Sequence, residues 1–224
     1  MIKAVFFDLF FTLVYPKYSD INEYDVVGIS VSEWEKYAEN SELYYERARG
    51  RVKTEKEIID KIIDIMPYYL NDSEKQEILH RREERMKRAL LEVDDRILNT
   101  LRQLRDKGFK IGLISNADRI DIKYWKKSPL AVYFDITIFS CDVGILKPEI
   151  EIYKMAMDML EIKPEESIFI GDGGSDELYG AKKAGMKTVF TEYLVSKSKD
   201  LVEKIRLYAD YYLNRFDDLL RYIE

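Results

Sequence analysis

The run FFDLFFTLV, Phe6–Val14, sets one carboxylate, Asp8, among phenylalanines and leucines almost at the start of the chain. The residues leading to it, Ile2–Phe7, are mostly apolar, aromatic or β-branched, as befits a short strand buried on both faces. A charge at the end of such a strand is costly unless it has a partner or a task. Thr12 follows four positions on. What the aspartate is for depends on how the rest of the chain arranges its strands around it.

Composition narrows the chemistry before any motif is read. The 224 residues suffice for a substantial core. A formal charge of −6 gives no nucleic-acid footprint. One cysteine, Cys141, and one histidine, His80, leave no internal disulfide and no Cys-rich zinc site. A Ser-His-Asp triad, a Cys-His dyad or a zinc hydrolase would have to run through His80. His80 stands in LHRREERMKR, residues 79–88, which reads as an exposed, charge-rich helix face. Chemistry here falls to carboxylates, hydroxyls, lysine and a hard metal ion. No apolar run approaches the ~20 residues that span a bilayer, and the first residues start a strand rather than a signal peptide. A cytoplasmic location is expected, with neither nucleic acid nor membrane as partner.

Three zones follow one another. After the first strand, residues 16–93 offer no convincing strand. Ser32 with Glu35 is spaced as a capping box for a helix reaching about Arg49; Thr54 with Glu57 and Ser73 with Gln76 repeat the pattern. From residue 94 the chain alternates. A helix capped by Asp94 or Asp95 stops at Gly108, and the strand KIGLISN follows at 110–116. Next come a helix near Ile120–Lys126, the strand FDITIFS at 134–140 and a helix at 148–160. The strand ESIFIGD at 166–172, a helix at 177–185, the strand KTVFT at 187–191 and a last strand-helix pair complete the series. Alternation of this kind predicts a parallel sheet covered on both faces, which the first strand joins. The expected class is α/β: a Rossmann-like core of residues 1–15 plus 94–224, with an inserted all-helical cap of residues 16–93.

In open parallel sheets ligands bind at the carboxyl ends of the strands, and the unusual polar residues of this chain fall there. Asp8 ends the first strand, Ser115 and Asn116 end the second, and Lys147 precedes Pro148 before a helix. Asp172, Asp176 and Glu177 follow the fourth strand in GDGGSDE, residues 171–177. Each alone has an ordinary structural explanation as a cap, a turn or a solvated charge. Together, in this order, they suit phosphoryl transfer. Asp8 serves as nucleophile, clustered carboxylates call for Mg²⁺, Ser115 is a phosphoryl hydrogen-bond donor and Lys147 neutralises charge.

The four motifs, Asp8–Leu13, Ser115-Asn116, Lys147-Pro148 and Gly171-Asp172 with Asp176-Glu177 and GAKKAGM, resemble those of the haloacid dehalogenase superfamily of aspartate-nucleophile hydrolases. The resemblance covers the whole chain. It implies a cap that closes over the site and selects the substrate, and a metal shell of Asp8, the Phe10 carbonyl, Asp172 and Asp176, with Glu177 as the alternative to Asp176. It also implies that Thr12 positions a phosphate. One departure stands out. Phosphatases of this family usually carry a second aspartate two residues after the nucleophile, and here that residue is Phe10, followed by Phe11 in place of glycine. The expected activity is a Mg²⁺-dependent phosphatase of a small phosphate ester, acting as a monomer or homodimer. The alternatives are a 2-haloacid dehalogenase, for which Arg47, Arg49 or Arg51 would grip the substrate carboxylate, and a catalytically weak binding protein. The tyrosine pairs at 44–45, 68–69 and 211–212 read as packing, although a cap tyrosine facing the cleft would line it.

Overall fold

The computed structural model describes residues 1–223. Six strands form one parallel sheet: β1 (Ala4–Phe7), β2 (Lys110–Ser115), β3 (Ile136–Phe139), β4 (Ser167–Gly171), β5 (Lys187–Thr191) and β6 (Tyr211–Leu213), in the spatial order β3-β2-β1-β4-β5-β6. β1 lies between β2 and β4, with Phe7 opposite Leu113 on one side and Ile170 on the other. Strands are added outward from β1 in both directions, so the crevice opens beyond the ends of β1 and β4.

The period of two along β1 sends its side chains to opposite faces. Val5 and Phe7 join a core with Ile97, Leu101 and Leu104 of α6 (Asp95–Asp106) and with Trp125 and Phe216. Ala4 and Phe6 join another with Ile152, Tyr153 and Ala156 of α9 (Ile150–Met159) and with Leu178 and Ala181 of α10 (Glu177–Lys183). The sheet is therefore covered on both faces, which is why its strands read as nearly continuous apolar runs.

Between β1 and α6 come five helices: α1 (Tyr24–Val27), α2 (Val31–Ala38), α3 (Ser41–Ala48), α4 (Glu55–Asp64) and α5 (Asp72–Leu91). Trp34, Ile58, Ile59, Ile62, Ile63, Ile78 and Met86 form a separate cluster there, which also takes in Ile120. The single helix expected up to Arg49 is in fact two. Ser30 caps α2 through Glu33 N, and the chain breaks at Glu39-Asn40, where the Asn40 side chain caps α3. Asparagine hydrogen-bonds neighbouring backbone better outside a helix than within one, which favours the break. Thr54 caps α4 as expected, whereas α5 begins two residues earlier than anticipated, with a capping box between Asn71 and Glu74. The helix expected near 120–126 is α7 (Arg119–Ile122), capped by Asp118, followed by a separate tight turn at Trp125–Lys127. Two further helices are α8 (Ser140–Val143) and α11 (Lys199–Arg206), and α12 (Leu220–Ile223) is the last of the described residues. None of the helices among the described residues is long and apolar enough to cross a membrane.

Candidate active site

Asp8 follows directly on β1, and its backbone N–H still donates to Ile170 O of β4, so its backbone is fixed by the pairing of the two central strands. Its chain then reverses. Phe11 takes a left-handed conformation (φ 65°), and Leu13 N and Val14 N both return to Leu9 O. The reversal brings Thr12 back over the strand end, where its hydroxyl donates to Asp8 Oδ2 at 3.0 Å. The other oxygen, Oδ1, accepts from Lys147 Nζ at 2.5 Å.

Lys147 is buried and bridges two carboxylates, with Glu177 Oε2 also at 2.5 Å. Its backbone is held by a reciprocal pair: Asn116 Nδ2 donates to Lys147 O at 3.0 Å and Lys147 N donates to Asn116 Oδ1 at 2.9 Å. Asn116 thus ties the loop after β2 to the lysine that reaches Asp8. Ser115, one residue earlier, is fully buried at the end of β2, its hydroxyl giving a long bond of 3.4 Å to Asn116 O.

The fourth motif folds as a compact loop. Gly173, Ser175 and Asp176 all have positive φ, at 82°, 52° and 49°. This winding turns Asp176 outward to solvent and brings Glu177, at the start of α10, back beneath β4. A Cβ on Gly171 would lie 2.0 Å from Glu177 Oε1, so only glycine leaves room for that carboxylate. Gly173 N donates to Glu177 Oε1 at 3.0 Å, and Tyr153 hydroxyl donates to Glu177 O at 2.8 Å. Asp172 accepts from Gly174 N at 3.1 Å and from Lys197 Nζ at 2.7 Å.

Asp8, Asp172 and Glu177 each present an oxygen within 4.8 Å of the others. Of the acidic pair at 176–177, it is Glu177 that completes this cluster, and Asp176, expected as a metal ligand, lies outside it. All the donors are hard oxygens, and they fit a divalent ion such as Mg²⁺. Three carboxylates here face two ammonium groups, leaving an excess of negative charge. Burial raises the Asp8 carboxyl, Lys147 opposing and Asp172 adding to the rise. Glu177 is pushed well above the usual carboxylate range, first by burial and then by Asp8. For Lys147, burial works against the charge, but Asp8 and Glu177 outweigh it and raise the ammonium.

A cavity of about 540 Å³ opens over Asp8. Its floor is Asp8, Asn116, Lys147, Asp172 and Glu177, and its opposite wall comes from the five-helix segment with Tyr18, Tyr44, Arg47, Arg82, Arg85 and Met86. The half-buried Phe10 and the exposed Phe11 line one side. Tyr44 of α3 lines the cavity together with Ser175 and Asn116, and burial raises its phenol.

The arginines differ from one another. Arg47 is buried, and each of its guanidinium nitrogens has a partner: Nε lies 3.2 Å from Asp118 Oδ2, Nη2 3.1 Å from Glu39 Oε2, and Nη1 donates to Ala38 O. Arg49 crosses to Glu149 at 2.6 Å and to Gly144 O at 2.9 Å, and Arg51 is exposed. The stretch LHRREERMKR is not simply an exposed face. His80 is exposed, but Arg82 and Met86 are buried, and Arg82 Nη2 reaches Asp118 at 2.6 Å and Asp121 at 2.9 Å. Ile78, Arg82 and Met86 recur at helical spacing, which is the signal that would have marked an inward stripe. No comparable pattern precedes Lys197, which lies in the irregular segment before α11.

The chain matches the family model for haloacid dehalogenase-like hydrolases over residues 2–185. Among characterised relatives, it is 35% identical to a glyceraldehyde 3-phosphate phosphatase of Pyrococcus furiosus over 56% of this chain and 52% of that one. It is 32% identical to the pyrophosphatase PpaX of Bacillus mycoides over 58% of this chain and 60% of that one. The chain thus spans little more than half the length of the curated relatives it matches. A solved dehalogenase superposes with a TM-score of 0.69 at 20% identity over 99% of this chain and 96% of that chain. An enzyme of the same family from Bacteroides thetaiotaomicron, complexed with magnesium and inorganic phosphate, gives 0.68 at 22% identity over 90% of this chain and 99% of its own. These structures share the fold, with the six-stranded parallel sheet and its flanking helices. By its sequence over most of its length, and by a sheet whose strand ends gather the four motifs, the chain belongs to the haloacid dehalogenase-like hydrolase family.

Proposed function

We propose that the protein is a phosphatase of a small phosphorylated metabolite, with Asp8 as nucleophile. The observation that carries this reading is the Asp8 carboxylate at the end of β1, 5% exposed, held between Thr12 and Lys147 at the floor of the cavity. Asp8 attacks phosphorus and forms an aspartyl-phosphate, which water then hydrolyses. Thr12 and Lys147 fix the attacking carboxylate, and Lys147 also offsets charge on the transferring group. Ser115 and Asn116, at the end of β2, are the donors for the phosphoryl oxygens. A divalent ion held by Asp8, the Phe10 carbonyl, Asp172 and Glu177 would shield the phosphoryl oxygens from the nucleophile's charge. The five-helix segment of residues 16–93 acts as the cap whose side chains select the substrate. The phosphatase names of the relatives support a phosphate ester of metabolite size.

The test is turnover of p-nitrophenyl phosphate with and without Mg²⁺, by the wild type and by Asp8→Asn. Mg²⁺-dependent release of p-nitrophenol that vanishes in the variant is the expected result; an undiminished rate in Asp8→Asn overturns the reading. A 2-haloacid dehalogenase is the second reading, favoured by the non-acidic Phe10. Against it stands Arg47, whose three guanidinium nitrogens are each already engaged, by Asp118, Glu39 and Ala38 O, so that a substrate carboxylate would have to compete with protein carboxylates for it. Release of chloride from 2-chloropropionate without added metal would favour this second reading.

A further inference from the structure

Cleavage of an alkyl phosphate ester leaves an alkoxide that must take up a proton, and Phe10 has none to give. The cavity over Asp8 holds several titratable groups, most of them committed elsewhere. Asp121 accepts from Arg82 on one oxygen and from Asp118 N on the other, at 2.9 Å each. Glu39 is paired with Arg47. Tyr18 lies beneath the Arg85 guanidinium, 4.4 Å from the ring centroid, and Glu35 is exposed on α2. Tyr15 packs on Phe11, with ring centroids 5.6 Å apart.

Tyr44 is placed differently. It comes from the five-helix segment and lines the same cavity as Asp8, with Asn116 and Ser175 of the two loops that follow β2 and β4 on either side of β1. Asn116 in turn holds the backbone of Lys147, whose ammonium touches Asp8. The Arg47 guanidinium stands 5.5 Å from the Tyr44 ring centroid, a cation close to the aromatic ring. Resting on the phosphatase reading above, we propose that Tyr44 is the acid–base residue of this site and that the substrate is the ester of an alcohol, a leaving group that needs a proton.

In the first step an Asp8 oxygen bonds to phosphorus, the bond from phosphorus to the ester oxygen breaks, and that oxygen takes the Tyr44 proton. The alcohol departs and a phenolate remains beside Arg47. In the second step a water oxygen bonds to phosphorus, its proton passes to the phenolate, and the bond from phosphorus to Asp8 breaks. Inorganic phosphate, the Asp8 carboxylate and neutral Tyr44 are restored. An ordinary phenol, with a pKa of about 10, is protonated at neutral pH, as the first step requires, and burial acts in the same direction.

The experiment compares wild type and Tyr44→Phe on two substrates. One is p-nitrophenyl phosphate, whose leaving group needs little help from an acid; the other is glycerol 1-phosphate, whose leaving group needs a proton. For glycerol 1-phosphate kcat/KM is expected to fall ~10²–10⁴-fold, at least tenfold more than for p-nitrophenyl phosphate. Equal losses on the two substrates, or no loss on either, overturn the proposal; a partly unfolded variant would give equal losses. Asp8→Asn run in parallel separates the two readings, since activity surviving in that variant removes the nucleophile whatever Tyr44 does.

Discussion

Lys197 reaches Asp172 from an irregular segment and is itself largely buried, with its side chain 15% exposed against 6% for Asp172. Lys197 and a divalent cation would compete for the same Asp172 carboxylate, and their mutual repulsion amounts to several kcal/mol at contact distances in a partly buried site. Lys197→Met is therefore expected to tighten Mg²⁺ binding by roughly tenfold or more, read by isothermal titration calorimetry. An unchanged affinity would show that the pair does not compete with the ion. Lys147 plays a different part at the same scale. It bridges Asp8 and Glu177 and lies over the Phe169 ring, 5.5 Å from its centroid, so it is held in place against Asp8.

At the level of elements, the loop between β4 and α10 decides which acidic residue joins the site. Its three left-handed positions set the direction in which α10 starts, and two of them, Ser175 and Asp176, are not glycine. A left-handed residue with a Cβ costs about 1 kcal/mol, so Asp176→Gly should stabilise the protein by about 0.5–1 kcal/mol in thermal unfolding and spare turnover. Glu177→Gln should do the reverse. It strips one of the two charges that hold Lys147, destabilises the fold by about 3 kcal/mol and lowers turnover. If Asp176→Gly alone abolished activity, the geometry of the loop would have to differ in the working enzyme. The aspartate pair at the start of α7 is another local device with a distant effect. Asp118 caps the helix through Ile120 N and Asp121 N, and through its second oxygen it faces both Arg47 and Arg82.

Across the whole molecule, charged groups join the five-helix segment to the sheet. Arg82 of α5 and Arg47 of α3 meet Asp118 and Asp121 of α7, while Arg49 reaches Glu149 and Lys123 reaches Glu55 and Glu83. The Arg82 group is the buried one. Removing one member of a buried network leaves charges without partners, at a cost of about 3–5 kcal/mol. Arg82→Met should lower stability by that amount and speed backbone hydrogen exchange in α5, whereas Lys123→Met, at a more exposed pair, should cost less than about 1 kcal/mol. Equal effects from the two would mean that burial does not govern this junction. Much of the design was legible in the sequence. Six strands, their alternation with helices, and Asp8, Ser115, Asn116, Lys147 and Asp172 at strand ends all follow from local pattern, because a buried parallel strand must be apolar until it ends. The break at Asn40, the inward side of LHRREERMKR and the place of Lys197 were not. A helix break depends on one capping side chain competing with a continuing helix. A buried arginine resembles a solvated one until its partners, here Asp118 and Asp121, more than thirty residues away, are brought to it. The sequence by itself determined the sheet and the place of Asp8 at the end of its first strand, since both rest on the periodicity of hydrophobic burial. Only the tertiary structure decided that Glu177 rather than Asp176 joins the carboxylates, and that Tyr44 faces them, because both depend on how separate segments pack against one strand end.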